Sequence, residues 1–177
     1  PVEDGPQSLS SPPLISELNN PRIEPIVKRY NELRYQLLSY NYTLAWQARE
    51  TGMPFMRALW LHYPNDEQGR GVGSEYLWGS DLLIAPVFQK AATVRELYLP
   101  PGSWYDWWTG ELQPGGRMVT RHVDLATMPI YARAGAIIPT LDVEQYVGEL
   151  HDKGLPHPLT LNVYPGQTGS YTLYLDD

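Results

Sequence analysis

The sequence predicts an α+β chain: a long amphipathic helix followed at once by a strand, then an all-β sandwich. Three observations carry this. From Ile26 to Arg49 apolar residues recur every three or four positions, so that Ile26, Tyr30, Leu33, Leu37, Tyr40, Leu44 and Ala48 share one helical face, widened by Val27, Leu38 and Ala45. Residues Leu82 to Phe88 are an unbroken apolar run between polar neighbours, the pattern of a strand buried on both faces. From Glu75 onward, short runs of strand-forming residues alternate with Gly and Pro turn signals, the spacing of a sandwich.

Taken in order, residues Pro1 to Pro25 are rich in proline and serine and predict an irregular N-terminal segment. Pro25 suits the first turn of the helix, where its missing N–H would go unpaired anyway. Gly52 is placed to cap the C-terminus, and Pro54 blocks continuation. Asn41-Tyr42-Thr43 matches a glycosylation acceptor but falls mid-helix, so it reads as chance. Pro54 to Leu61, mostly apolar with the single charge Arg57, predicts a strand, and helix then strand is the rhythm of a parallel sheet. Pro64 to Ser74 predicts a polar loop. Its Gly69, Gly71 and Gly73 lack the flanking strand and helix that a phosphate cradle needs.

Strands are then expected over Tyr76–Trp78, Leu82–Phe88, Glu96–Leu99, Trp104–Trp108, Gly116–His122, Met128–Arg133, Ile137–Pro139, Leu159–Tyr164 and Gly169–Leu175. Pro86 cannot donate to a ladder, so the second strand should bend or end there. Val143 to Pro158 reads as an acidic connection.

Composition narrows the function classes. There is no cysteine, which excludes disulfides and thiolate chemistry. No apolar run is long enough to span a membrane. A net charge of −7 without a basic cluster argues against nucleic acid as a partner. Thirteen Tyr and six Trp fit either a sugar-facing surface or an aromatic-rich β core. His62, His122, His151 and His157 lack metal-ligand spacing, and no Gly-x-Ser-x-Gly elbow occurs, so neither a histidine metal site nor a serine nucleophile is read from these residues. In the Trp104–Trp108 cluster, alternation sends Trp104, Asp106 and Trp108 to one face and Tyr105 and Trp107 to the other. One of those faces must be core, so packing is the favoured reading over a sugar platform.

Four segments together resemble the C-terminal part of glycoside hydrolase family 31, the α-glucosidase and α-xylosidase family. They are Leu33-Arg34-Tyr35 through Thr51-Gly52-Met53-Pro54-Phe55-Met56-Arg57-Ala58-Leu59, Leu82-Leu83-Ile84-Ala85-Pro86-Val87, Tyr98 to Asp106, and Pro129 to Pro139. The resemblance implies that 26–75 is the C-terminal end of a (β/α)8 catalytic barrel and that 76–177 is the proximal β-sandwich domain. Pro54 to Leu61 would be the last barrel strand, which would put Trp60 and His62 near the active face, where such barrels keep their substrate contacts. The chain starts on Pro1 and stops on a strand-like run, so both ends are expected to be cut.

In that family a retaining mechanism needs two carboxyl groups roughly 5–5.5 Å apart. The resemblance places them as aspartates on earlier barrel strands, in a tryptophan-and-acid motif that has no match in this chain. Asp81 and Asp106 lie in family-like segments but read as a turn cap and a strand-end residue. The expectation is therefore part of a retaining α-glycoside hydrolase acting on α-linked glucosides or xylosides, for which the resemblance implies no cofactor and no metal. This piece supplies the barrel end and a bracing sandwich, partnered by the remainder of the barrel and an α-linked oligosaccharide substrate, and contributes no catalytic residue. The alternative is a non-catalytic carbohydrate-binding or structural β-sandwich module.

Overall fold

The long apolar stripe folds as two helices rather than one. In the computed structural model, which describes residues 20–146, 149–154 and 158–176, α1 runs Glu24–Gln36 and α2 runs Leu38–Thr51, with Leu37 between them at φ −82° and ψ 11°. Backbone bonds persist across the break: Leu37 N–H donates to Leu33 O at 3.1 Å, and Leu37 O accepts from Asn41 N–H at 2.8 Å. One shifted ψ leaves the three-and-four spacing of the apolar residues intact, so periodicity could not show the break. Pro25 sits in the first turn of α1. Gly52 caps α2 with φ 74°, its N–H on Ala48 O at 2.9 Å. Most of the irregular segment expected over Pro1 to Pro25 lies outside the described residues.

The strand expected over Pro54 to Leu61 is corrected. Only Met56–Arg57 (β1) is extended, and Leu59–His62 turns into a short helix, α3. Leu59 is fully buried in this helical form, so the apolar content of the segment reaches the core without an extended backbone. Nor is the pairing parallel: β1 runs antiparallel to Tyr76–Trp78 (β2), with Met56 opposite Trp78 and Arg57 opposite Leu77. The loop expected over Pro64 to Ser74 contains a further turn of helix, α4, Glu67–Arg70. Asp66 caps it by accepting the Gly69 N–H.

The remaining elements are β3 Leu82–Ile84, β4 Val94–Leu99, β5 Ser103–Asp106, β6 Leu112–Pro114, β7 Arg117–His122, β8 Ile130–Arg133, β9 Ile137–Leu141, α5 Glu149–Asp152 and β10 Leu159–Val163. A six-stranded sheet has the order β1-β2-β3-β8-β5-β6, and β4-β7 and β9-β10 form separate two-stranded ribbons. Every pair is antiparallel. The fold is therefore mixed helix and antiparallel sheet.

Several strand ends differ from expectation for local reasons. β3 stops short of Pro86, and Ala85 N–H turns to Pro129 O at 3.0 Å. β5 stops at Asp106 because its carboxylate collects the N–H groups of Trp108 and Thr109 at 2.8 and 3.0 Å, closing a turn. β6, Leu112–Pro114, lies outside the expected strands. No strand forms over Gly169–Leu175. That stretch docks on α2 instead, with Tyr174 N–H on Thr43 Oγ1 at 3.1 Å and the Tyr174 ring stacked 5.2 Å from Trp46.

The sheet is buried on both faces, and strand alternation sorts the side chains. Leu83 of β3 and Tyr131 of β8 pack with Leu77, Leu97, Leu99 and Trp104 beneath the β4-β7 ribbon. Leu82, Ile84, Ile130 and Ala132 pack with Tyr40 and Leu44 of α2 and Ile138 of β9. Each large apolar side chain so buried contributes about 1.5–3 kcal/mol. Trp104 is fully buried, its Nε1–H donating to Pro100 O at 2.8 Å, so it belongs to the core. Gly79 is required where β2 turns into β3. Its φ is +68°, and a Cβ there would stand 2.3 Å from the Tyr40 hydroxyl oxygen, which itself donates to Trp78 O.

Candidate functional site

Buried polar groups decide what this chain can do chemically. Asp106, at 3% exposure, caps its turn and lies 2.7 Å from Arg121 Nε, an ion pair whose direction misses hydrogen-bond geometry. Asp81, at 7% exposure, accepts from Arg133 Nη2 at 2.7 Å and from the Ser80 hydroxyl at 3.0 Å. Each aspartate is thus engaged with an arginine and a turn. Neither has the free carboxylate oxygen that a nucleophile or general acid would present.

Glu75 differs. Its Oε1 accepts the Tyr98 N–H at 2.9 Å, in effect capping the free edge of β4, while Oε2 is buried with no partner. Burial pushes its carboxyl up to about 7, against the opposing pull of the Tyr98 hydrogen bond and the Arg95 charge. The surrounding loop is tied to the same strand. Arg95 Nη2 donates to Ser74 O and Oγ at 2.8 Å, and the Tyr98 hydroxyl donates to Asp66.

The two residues expected near an active face, Trp60 and His62, lie together on α3. Trp60 is half exposed. His62 Nε2 stands 3.1 Å from Arg57 Nη1. A guanidinium can only donate, so Nε2 accepts and the ring is neutral with its proton on Nδ1. Burial, then the Arg57 charge, holds the imidazole below its ordinary value. Arg57 itself is 4% exposed, with Nε on Pro54 O at 2.7 Å and Nη2 on Gln47 Oε1 at 3.4 Å. Sequence reasoning did not select Arg57, although its signal was present: it is the single charge in an otherwise apolar run.

A cleft of about 170 Å³ opens between the helices and the sheet. Its walls include Tyr30, Leu33, Leu37, Trp78, Trp107 and Ile130, with Arg34 and Asn41 among its few polar groups and no carboxylate in its lining. Asn41, the nominal glycosylation acceptor, is engaged there by Trp78 Nε1–H at 2.7 Å. Among the described residues no three His, Asp or Glu side chains gather as a metal site. His157 lies outside those residues.

Residues 52–138 match the glycosyl hydrolase family 31 C-terminal domain. The chain is 40% identical over 158 residues to alpha-glucosidase 2 of Bacillus thermoamyloliquefaciens, covering 88% of this chain and 19% of that protein. It is 36% identical over 160 residues to an alpha-xylosidase of Saccharolobus solfataricus, covering 87% and 21%. Among solved structures, the family 31 dextranase of Flavobacterium johnsoniae, complexed with isomaltotriose, superposes with a TM-score of 0.78 at 36% identity, over 83% of this chain and 18% of that one. The family 31 alpha-xylosidase of Xanthomonas citri gives 0.72 at 39% identity, over 77% and 15%. The chain thus spans about a fifth of the length of the curated relatives just described. The segments that carry these matches hold the core of the sheet and its turns, and on them the chain belongs to glycosyl hydrolase family 31, as part of its C-terminal portion.

Proposed function

We propose that this chain is a non-catalytic part of a retaining hydrolase of α-linked glucosides or xylosides. In this reading 26–75 closes the end of the (β/α)8 barrel and 76–177 is the proximal β domain that braces it, with β1 lending the sheet an edge strand. The observation that carries the reading is apolar surface on the helix pair that the sheet leaves uncovered, including Val27 and Leu38, which were expected to widen the sheet-facing stripe and do not. Val27, Tyr35, Leu38 and Tyr42 are 51, 59, 53 and 43% exposed. At 100° per residue they cluster on the side away from Tyr40 and Leu44, which face the sheet. A helix apolar on two sides is packed on two sides, and a barrel is the partner that the family supplies.

The substrate class comes from the relatives, which include an alpha-glucosidase and an alpha-xylosidase. Trp60 and His62 are the residues of this chain we place nearest the barrel's active face. The test is turnover of an aryl α-glucoside. The purified 177-residue chain should give none, and co-expression with an upstream barrel segment of a family relative should restore it. Turnover by the chain alone would overturn the reading.

A further inference from the structure

The buried cluster around Arg57 carries an excess of positive charge. Arg133 is matched by Asp81 at 2.7 Å. Arg57, more deeply buried, touches only a carbonyl, an amide and the lone pair of a neutral imidazole. Among the described residues no carboxylate contacts it, and one hydrogen on each terminal nitrogen has no acceptor. The charged and titratable groups that act on this site are Asp81, Arg133 and the phenols of Tyr40 and Tyr63. Two guanidinium groups therefore face one carboxylate. Removing a guanidinium from water without an acid partner costs several kcal/mol, and a planar fork with two unused N–H groups matches a carboxylate edge on.

We propose that Arg57 and His62 form a carboxylate-binding site, with Arg57 holding the anion through its unused N–H groups and the exposed Trp60 standing on the same short helix as the half-buried His62. Trp60 is 50% exposed, so α3 presents this site to a partner, whereas Met56 alternates to the other side of β1 from Arg57. The ligand is a carboxylate, carried either by an acidic side chain of polypeptide abutting this face or by a free sugar acid whose ring stacks on Trp60, and the test separates the two. The site stands on the Arg57 environment and does not depend on the barrel assignment.

His62 reports the site. An anion on Arg57 cancels the charge that disfavours imidazolium, so the His62 midpoint must rise when the anion binds. The experiment is an NMR pH titration of the histidine ring protons of the 177-residue chain in acetate against chloride at matched ionic strength, with His62→Gln identifying the resonance. The midpoint should rise by about 0.5–1 pH unit at saturating acetate, and Arg57→Lys should lose most of that rise. Glucuronate binding at least tenfold tighter than acetate assigns a free sugar acid as the source; equal binding assigns a protein side chain. Equal His62 midpoints in acetate and chloride would overturn the proposal. That comparison uses the wild-type chain, so it decides even if Arg57→Lys does not fold, and its failure would leave the turnover test untouched.

Discussion

The centre of the six-stranded sheet and the margin around β1 and the helix pair treat buried charge and apolar surface in opposite ways. At the centre, Asp106 has two backbone donors and Arg121, and Asp81 has Ser80 and Arg133. Both faces of β3 are covered. At the margin, no carboxylate among the described residues contacts Arg57, and Glu75 keeps one oxygen without a partner among them where its loop meets β4. Tyr35 and Leu38 stand in the open on the helices. The centre is closed by contacts made within this chain, and the margin is built for contacts made beyond it.

That contrast can be broken most sharply at Asp106. Asp106→Ala removes the turn cap and strands Arg121, so unfolding free energy in urea should fall by about 3–5 kcal/mol. A loss below about 1 kcal/mol would mean the centre is not held by its polar groups. Glu75 should respond in the opposite direction. Its folded carboxyl titrates near 7 against 4.5 when unperturbed, so the fold prefers the protonated form. The stability it contributes is complete below the unfolded value and is lost as pH rises through about 7. Glu75→Gln, which keeps an oxygen for the Tyr98 N–H, should match the parent at pH 4 and exceed it by about 1–2 kcal/mol at pH 8. Equal stability at both pH values would move Glu75 into the satisfied class. The smallest effect belongs to the outer helix face. Leu38→Lys should change the stability of this chain by no more than about 0.5 kcal/mol while raising its solubility limit. A loss of 2 kcal/mol or more, read by the same urea titration, would show that the stripe is already packed.

Much of the central sheet was legible because its signals are local. The run Leu82–Phe88 reads as a strand buried on both faces; Leu82–Ile84 is that strand, while the run leaves the sheet before Pro86 and Phe88 is 71% exposed. Tyr76–Trp78 has the bounds its turn residues imply. Gly52 terminates the helix in the left-handed conformation that only its lack of Cβ makes easy. What escaped depends on partners far along the chain. Residues 59–62 are apolar enough for a strand, yet only two residues of their segment find a strand partner, in β2. Gly169–Leu175 has strand composition, but Thr43 and Trp46 of α2 take its backbone and its tyrosine. Of the candidate site, Trp60 and His62 follow from the family resemblance, whereas Arg57 reads only as the single charge of an apolar run and Glu75 only as the start of the strand region. A charged residue in an apolar run shows that something must satisfy it, not what does.

The sequence by itself determined the family, several of the turn positions, the burial of β3 on both faces, and the absence of a tryptophan-and-acid nucleophile motif. Those follow from residue identity and spacing within a few positions. Only the tertiary structure decided that β1 pairs antiparallel, that Asp81 and Asp106 each meet an arginine, that Glu75 is buried beside β4, and that Arg57 is buried with no acid on it among the described residues. Each pairing joins residues fifteen or more positions apart. The free energy of a buried charge is set by what surrounds it in space, which no short window of sequence contains.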